Sequence, residues 1–199
     1  DEIITISKNG YGYNPGTYDV YNNRNNSFNI IARLDWDLND KNKLQLRHNY
    51  TNGIQDRNLS RDAFNYSLSS RVNTFTSISN QSVLQWNSIV SGATSNELRL
   101  SYTQTNDERV LPAQPFPEVR IQVGSGQNVV FGPERNSQAN ALDQTIIALT
   151  NDFTVFEGNH TLTFGTHNEL SRFNNLFIAD YTSSLQYPSI DAFRDSTAN

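Results

Sequence analysis

Residues 28–50 alternate apolar and polar side chains on either side of the short cluster NDKN at 39–42, and this two-residue period constrains the fold more than any other feature. Phe28, Ile30, Ala32, Leu34, Trp36 and Leu38 fall in one phase, Arg33, Asp35 and Asp37 in the other. After the cluster, Leu44, Leu46 and Tyr50 alternate with Gln45, Arg47 and Asn49. Successive side chains of a strand point to opposite faces, so the pattern predicts a β-hairpin with one apolar and one charged face. Pairing Leu38 with Leu44 would set Trp36 opposite Leu46 and Asp35 opposite Arg47, a cross-strand charge pair worth roughly 0.2–1 kcal/mol.

The plan recurs twice. In 72–106, Ile78, Leu84, Trp86 and Val90 share a phase, SGATS makes a turn, and Leu98, Leu100 and Tyr102 alternate with Glu97, Arg99, Ser101 and Thr103. In 144–170, Ile147, Leu149, Phe153 and Val155 precede the turn EGN, and Leu162 and Phe164 then oppose Thr163, His167 and Glu169. The three hairpins are therefore placed at 28–52, 72–106 and 144–170. Residues 1–27, punctuated by Gly10, Gly12, Pro15 and Gly16, read as an irregular loop, and 171–199 as a loop and tail. That tail holds one helical stretch, SIDAFRDS, with Ser189 as cap and Ile190 and Phe193 on one face.

The turns within hairpins are short, whereas the connections between them, 53–71 and 107–143, are long. Compact domains rarely hold unstructured connections of that length. Outer-membrane barrels do so systematically, with short periplasmic turns, long extracellular loops, and strands of roughly 9–11 residues to cross the bilayer. The expected fold class is all-β, an antiparallel up-and-down transmembrane β-barrel segment of about six to eight strands, with 1–199 as part of one barrel domain. The apolar phase then faces lipid, and Arg33, Asp35, Asp37 and Arg47 form a charge network in a watery lumen. Phe28, Tyr50, Tyr102 and Phe156, at strand ends, suit the aromatic girdles of such a barrel. A soluble β-sandwich binding module, for carbohydrate for example, also gives alternation. Its core would have to be filled by a chain in which only 36% of residues are hydrophobic.

Composition narrows the function. No run of 18 apolar residues exists, so no transmembrane helix is expected. A net charge of −5 with no basic stripe disfavours nucleic acid as a partner. Without cysteine there is no disulfide or thiolate metal site, and His48, His160 and His167 do not share a face, so neither metal nor cofactor is expected. Asp35 and Asp37 share a face, but neighbouring Arg33 and Arg47 keep them ionised and no nucleophile motif accompanies them. GSGQNVVFGPER (124–135) lacks the lysine and following helix of a phosphate-binding loop. The chain is not expected to be an enzyme. The long loop 107–143 offers Arg109, Phe116, Arg120, Phe131 and Arg135 as ligand contacts, because arginine and aromatic side chains dominate recognition surfaces.

The hairpin ARLDWDLNDKNKLQLRHNY resembles a recurring barrel segment of TonB-dependent outer-membrane receptors of the Oar-like, Bacteroidetes type. NELRLSYTQTNDERVLP, LTNDFTVFEGNHTLTFGTHNEL and FGTHNELSRFNNLFIADYTSSLQYPSIDAF are similar to later hairpins and a loop of the same barrels. The resemblance implies uptake of a ligand through a plugged lumen, with a plug domain and an energy-coupling inner-membrane complex as partners. No plug, coupling box or terminal aromatic residue is seen, so the chain is expected to be an internal piece of such a barrel. A passive or structural outer-membrane barrel is the alternative.

Overall fold

The computed structural model describes residues 1–111 and 114–196. Six strands form one antiparallel meander in chain order: β1 (Asn25–Asn39), β2 (Asn42–Arg57), β4 (Asn73–Ser91), β5 (Thr94–Val110), β8 (Asn140–Glu157) and β9 (His160–Phe177). Each has 15 to 19 residues. The three turns, at 40–41, 92–93 and 158–159, lie at one end, and every longer connection and both terminal segments lie at the other. The strands run further towards that second end than the alternation marks. β9 continues to Phe177, into the stretch read as loop, because Phe173 and Phe177 keep pairing with Gln144 and Asn140.

One register expectation is corrected. Trp36 faces Leu44, Leu34 faces Leu46, Asp35 faces Gln45, and Arg33 faces Arg47. The ladder shifts between Asp37 and Asn39, where the Asn39 side-chain oxygen accepts bonds from the Lys41 N–H at 3.0 Å and the Asn42 amide at 2.9 Å. That closes the chain reversal over Asp40 and Lys41 and moves the pairing by two residues. A two-residue shift leaves every side chain on its expected face.

The apolar phases align across the sheet. Leu34, Leu46, Leu84, Leu100 and Leu149 form one row, and Trp36, Leu44, Trp86 and Leu98 the row beside it. The five leucines of the first row are all exposed, between 39% and 69%, so no layer of this chain packs on that face. On β1 the apolar run goes from Phe28 to Leu38, whereas on β8 it goes from Ile147, level with Ala32, past the level of Trp36 to Val155. The band thus slides towards the turns across the sheet, as tilted barrel strands require. Beyond it, towards the long loops, the same face turns polar with Asn52, Asn80, Gln104, Asn106 and Asp143. Of the four expected girdle aromatics, Phe28 and Tyr50 touch edge to face at 6.5 Å, while Phe156 falls in the opposite phase, on the polar face beside the turn.

The segments read as loops fold together into a cap. A second sheet has the order β10 (Ser184–Tyr187), β6 (Glu118–Gly124), β7 (Gln127–Phe131), β3 (Asn65–Ser67), with its outer strands parallel to the central hairpin. Helices α1 (Glu2–Tyr11) and α2 (Ile190–Asp195) and the short 3-10 turn Ser69–Arg71 complete it. Its core comprises Ile3, Tyr13, Leu68, Val119, Ile121, Val129, Phe131 and Phe193. The α2 expectation holds: the Ser189 hydroxyl accepts from Ala192 N–H at 3.1 Å, and Phe193 is buried. The irregular reading of 1–27 is corrected over α1. Ile3, Ile4, Thr5 and Ile6 are β-branched and disfavour a helix locally. Burial of Ile3 and Ser7, one turn apart, and the left-handed cap at Gly12 outweigh that preference. Residues 197–199 of the expected tail and 112–113 of the expected loop lie outside the described residues.

Gly132 is a tight point of the cap. Its φ is +81°, a Cβ there would stand 2.1 Å from the Pro117 carbonyl oxygen, and its N–H donates to the buried Ser70 hydroxyl at 3.0 Å. Gly132→Ala is expected to cost about 2 kcal/mol or more, the left-handed backbone supplying roughly 1–2 kcal/mol and the clash with Pro117 the rest. Limited proteolysis should then cut the cap while the strands stay protected.

Candidate functional site

Two surfaces hold the chemistry: the polar face of the large sheet, and the joint where the cap meets it. On the polar face, Asp37, Lys43, Asn87, Glu97 and Asp152 share a row, and Asp35, Gln45, Gln85, Arg99, Thr150 and His167 the next. Arg33 grips Asp35 with both Nε and Nη2 at 2.8 Å, and Gln45 donates to the same carboxylate at 3.0 Å. Lys43 reaches Asp37 at 3.3 Å, and Arg99 pairs with Glu97. His167 shares a 2.8 Å hydrogen bond with the Thr150 hydroxyl. A hollow of about 330 Å³ near the turns is lined by Lys43, Asn87, Glu97, Asp152 and Thr154 on this face.

Of the four residues expected to form the lumen network, Arg33 and Asp35 come together, and Asp37 joins Lys43 instead. Arg47 stands opposite Arg33 and makes no ion pair among the described residues. The anticipated Asp35–Arg47 pair is absent because of the register shift at Asn39. Lys43, Glu97, Arg99 and His167 belong to the same lining, and the alternation that marked the first hairpin marks them too.

At the other end a polar joint fixes the cap to the strands. The Ser137 hydroxyl donates to Glu134 at 2.5 Å and accepts from the Asn73 amide at 2.8 Å, and Asn58 donates to Glu134 at 3.5 Å. Glu134, Ser137 and Asn73 are buried. Arg71 donates to Glu118 at 3.0 and 3.2 Å and to the Asn58 carbonyl at 2.8 Å. Apart from Asn73, at the start of β4, these residues lie in segments without clear periodicity, and none of them carries a sequence signal for this joint.

The five expected ligand contacts are dispersed. Phe131 is a correction: it is fully buried in the cap core, because its strand turns it inward with Val119 opposite, and it offers no surface. Phe116 stacks on Tyr13 at 3.8 Å. Arg120 donates to Asn65 at 2.5 Å, and Arg135 to Asp180 at 2.5 Å. Arg109 donates to the Asn136 carbonyl at 3.0 Å but sits on the polar face, opposite Phe75. Arg57, on the same face, lies over the Phe75 ring at 3.9 Å. One guanidinium group thus stacks on the Phe75 ring just below the cap, and Arg109 is paired opposite that residue on the neighbouring strand.

Asp56 stands at the cap end of β2, past the apolar band. The Arg24 guanidinium bonds it at 3.0 and 3.1 Å, with further bonds from Arg24 N–H and the Thr74 hydroxyl. These hold its carboxyl down to about 2, against the desolvation that opposes them. The folded value lies below the ordinary 3.8, so the stabilisation is complete above about pH 4 and disappears as pH falls through about 2. With Arg24 half-exposed, about 1–2 kcal/mol is expected. Lowering pH from 5 to 2 should reduce the urea midpoint more in the wild type than in Asp56→Asn.

A long antiparallel meander with a bare apolar band on one face and a charge-lined hollow on the other is a wall of an outer-membrane barrel. A family model for an outer membrane beta barrel domain matches residues 6–193, and the chain belongs to that family. Its place is the bacterial outer membrane, with the apolar face towards lipid and the polar face inward. No curated protein and no solved structure gave a match.

Proposed function

We propose that this chain forms part of the barrel of an energised outer-membrane transporter, in which the cap side captures a ligand and the polar face lines its path. The observation that carries this reading is Arg57 stacked on Phe75, with Arg109 paired opposite Phe75 on the next strand, on the inward face below the cap. Arginine stacked on an aromatic ring is pre-organised for recognition, and its position commands the entry to the lining below. The likeness of the hairpins to TonB-dependent receptors supports an energised route, with a plug domain and an inner-membrane coupling complex as partners. No catalytic role is assigned to the charged groups of the lining.

The test is uptake by cells with and without the gene, using labelled siderophore, oligosaccharide and peptide mixtures, each with and without a protonophore. Energised transport predicts gene-dependent uptake of one class that stops when the proton gradient collapses. Gene-dependent uptake that ignores the gradient would establish the passive barrel instead. Arg57→Ala and Arg109→Ala should each reduce uptake without altering the amount of folded protein.

A further inference from the structure

One acid on the inward face lacks a counter-ion although two arginines stand near it. Asp107 lies on β5 two residues before Arg109, with Ser77 opposite on β4 and Leu142 opposite on β8. One oxygen of its carboxylate is shut off from solvent without a hydrogen-bond partner, and the group enters no ion pair among the described residues. Arg109 does not turn to it. Its guanidinium runs to the cap, donating to the Asn136 carbonyl at 3.0 Å and the Ser137 hydroxyl at 3.4 Å. Arg57 donates from Nε to Gln55 at 2.7 Å, lies over the Phe75 ring, and meets no carboxylate among the described residues. Strands β4 and β8 flank β5 on both sides, so no further strand of the barrel can reach Asp107 from the side.

The wall is recessed beside this acid. Gly53, Ser77 and Asp107 share one row of the inward face, between the row of Thr51, Ser79 and Thr105 and the row of Gln55, Phe75 and Arg109. A Cβ built on Gly53 would meet only the Ser77 carbonyl oxygen, at 3.9 Å, so the place beside Ser77 is open. Phe75 is the diagonal neighbour of Asp107 on the next strand, a separation of roughly 7–8 Å between backbones. A desolvated carboxylate oxygen is costly without a donor, and Leu142 offers none. The Nη groups of Arg57 form a fork suited to a second carboxylate. The niche thus presents an anion at one end and a cation held on an aromatic ring at the other.

We infer that this niche binds a short zwitterionic peptide, with its ammonium group at Asp107 and its carboxylate at Arg57. The inference rests on the reading of the inward face as a ligand path and names the class of ligand. Two extended residues span about 7 Å, which matches the diagonal from Asp107 to Phe75 and makes a dipeptide the fitting length. Its side chains then lie against the Phe75 ring and the recess at Gly53. A ligand with negative charge alone meets Asp107, and one with positive charge alone meets Arg57 and Arg109. A neutral sugar leaves all three charges without counter-ions. A lysine fixed elsewhere in the full-length protein would neutralise Asp107 but leave Arg57 as it is, whereas a zwitterion answers both.

The full-length protein, purified from outer membranes in detergent, is equilibrated with a mixed dipeptide library, and retained peptides are measured by mass spectrometry. The library is used with both termini free, N-acetylated, or C-amidated. The inference predicts that the free form is retained about tenfold or more better than either blocked form, the loss of one charge-assisted contact. Asp107→Asn should lower retention of free dipeptides by a similar factor and leave the N-acetylated ones unchanged. Arg57→Gln should do the same with the C-amidated ones. Gly53→Val fills the recess without touching a charge and should also lower retention, with the heat-modifiable band reporting the amount of folded barrel in every variant. Equal retention of free and blocked forms, or none at all, overturns the inference. So does an Asp107→Asn variant whose urea midpoint falls while retention holds, the mark of a fixed lysine partner. Gene-dependent uptake of siderophore or oligosaccharide without dipeptide retention overturns the inference and keeps the transporter. Dipeptide retention without energised uptake keeps the niche and overturns the transporter.

Discussion

Leu84→Arg will destabilise the folded barrel by about 2–4 kcal/mol, and Gln85→Arg, one residue along, will cost little. Leu84 lies at the centre of the lipid-facing row, between Leu46 and Leu100 on the neighbouring strands. An arginine there must hold its guanidinium in hydrocarbon or stretch to the interface. Gln85 points the other way, between Gln45 and Arg99 on the water-filled side. Asn80→Arg supplies the depth control: it shares the face of Leu84 but stands beyond the band, where the same charge costs about 0–1 kcal/mol. Urea titration of the refolded full-length protein in vesicles, read by the heat-modifiable band on gels, measures all three. Equal costs at 84 and 85 would mean that the two faces do not see different solvents, and the barrel assignment would fall.

That prediction draws on what the sequence displayed most clearly. Alternation is a local property of a strand, written residue by residue, so the six long strands and their faces were legible from Phe28, Leu34, Leu84, Leu100, Leu149 and their neighbours. Register was less legible, because it depends on how one asparagine closes a turn. The two-residue error at Asn39 kept Arg33 and Asp35 inward but exchanged the partners they were expected to have. The cap was barely legible at all. Its core joins Ile3, Leu68, Ile121, Phe131 and Phe193 from four separate segments. No single segment carries enough apolar side chains at any period to announce itself. α1 was hidden by its β-branched residues, whereas α2 was visible because capping by Ser189 is local. Phe131, one of the candidate ligand contacts, was misplaced for the same reason. Arginine and phenylalanine mark a recognition loop only when the loop is on the surface, and here Phe131 is the core.

Removing the Arg71 guanidinium will undo the cap and spare the barrel. Arg71 has 15% of its side chain exposed and Glu118 only 4%. Glu118 receives two bonds from Arg71 and a third, at 3.3 Å, from the Arg135 N–H, all on the same oxygen. Arg71→Met keeps the stem and deletes the charge. Glu118 is then buried opposite nothing of opposite sign, a situation that costs about 3–5 kcal/mol. The Asn58 carbonyl loses its donor at the same time. Arg71→Met with Glu118→Leu removes both charges, so most of the loss should return, since a buried pair replaced as a unit is often neutral. The cap gathers segments that leave the sheet at one end, and the six-stranded ladder does not depend on it. Protease cleavage of the cap should therefore rise sharply in Arg71→Met and fall back in the double variant. The heat-modifiable barrel band should hold steady in both. A barrel that unfolds with the cap would show the two to be one cooperative unit, with the buried joint at Glu134, Ser137 and Asn73 carrying the coupling between them.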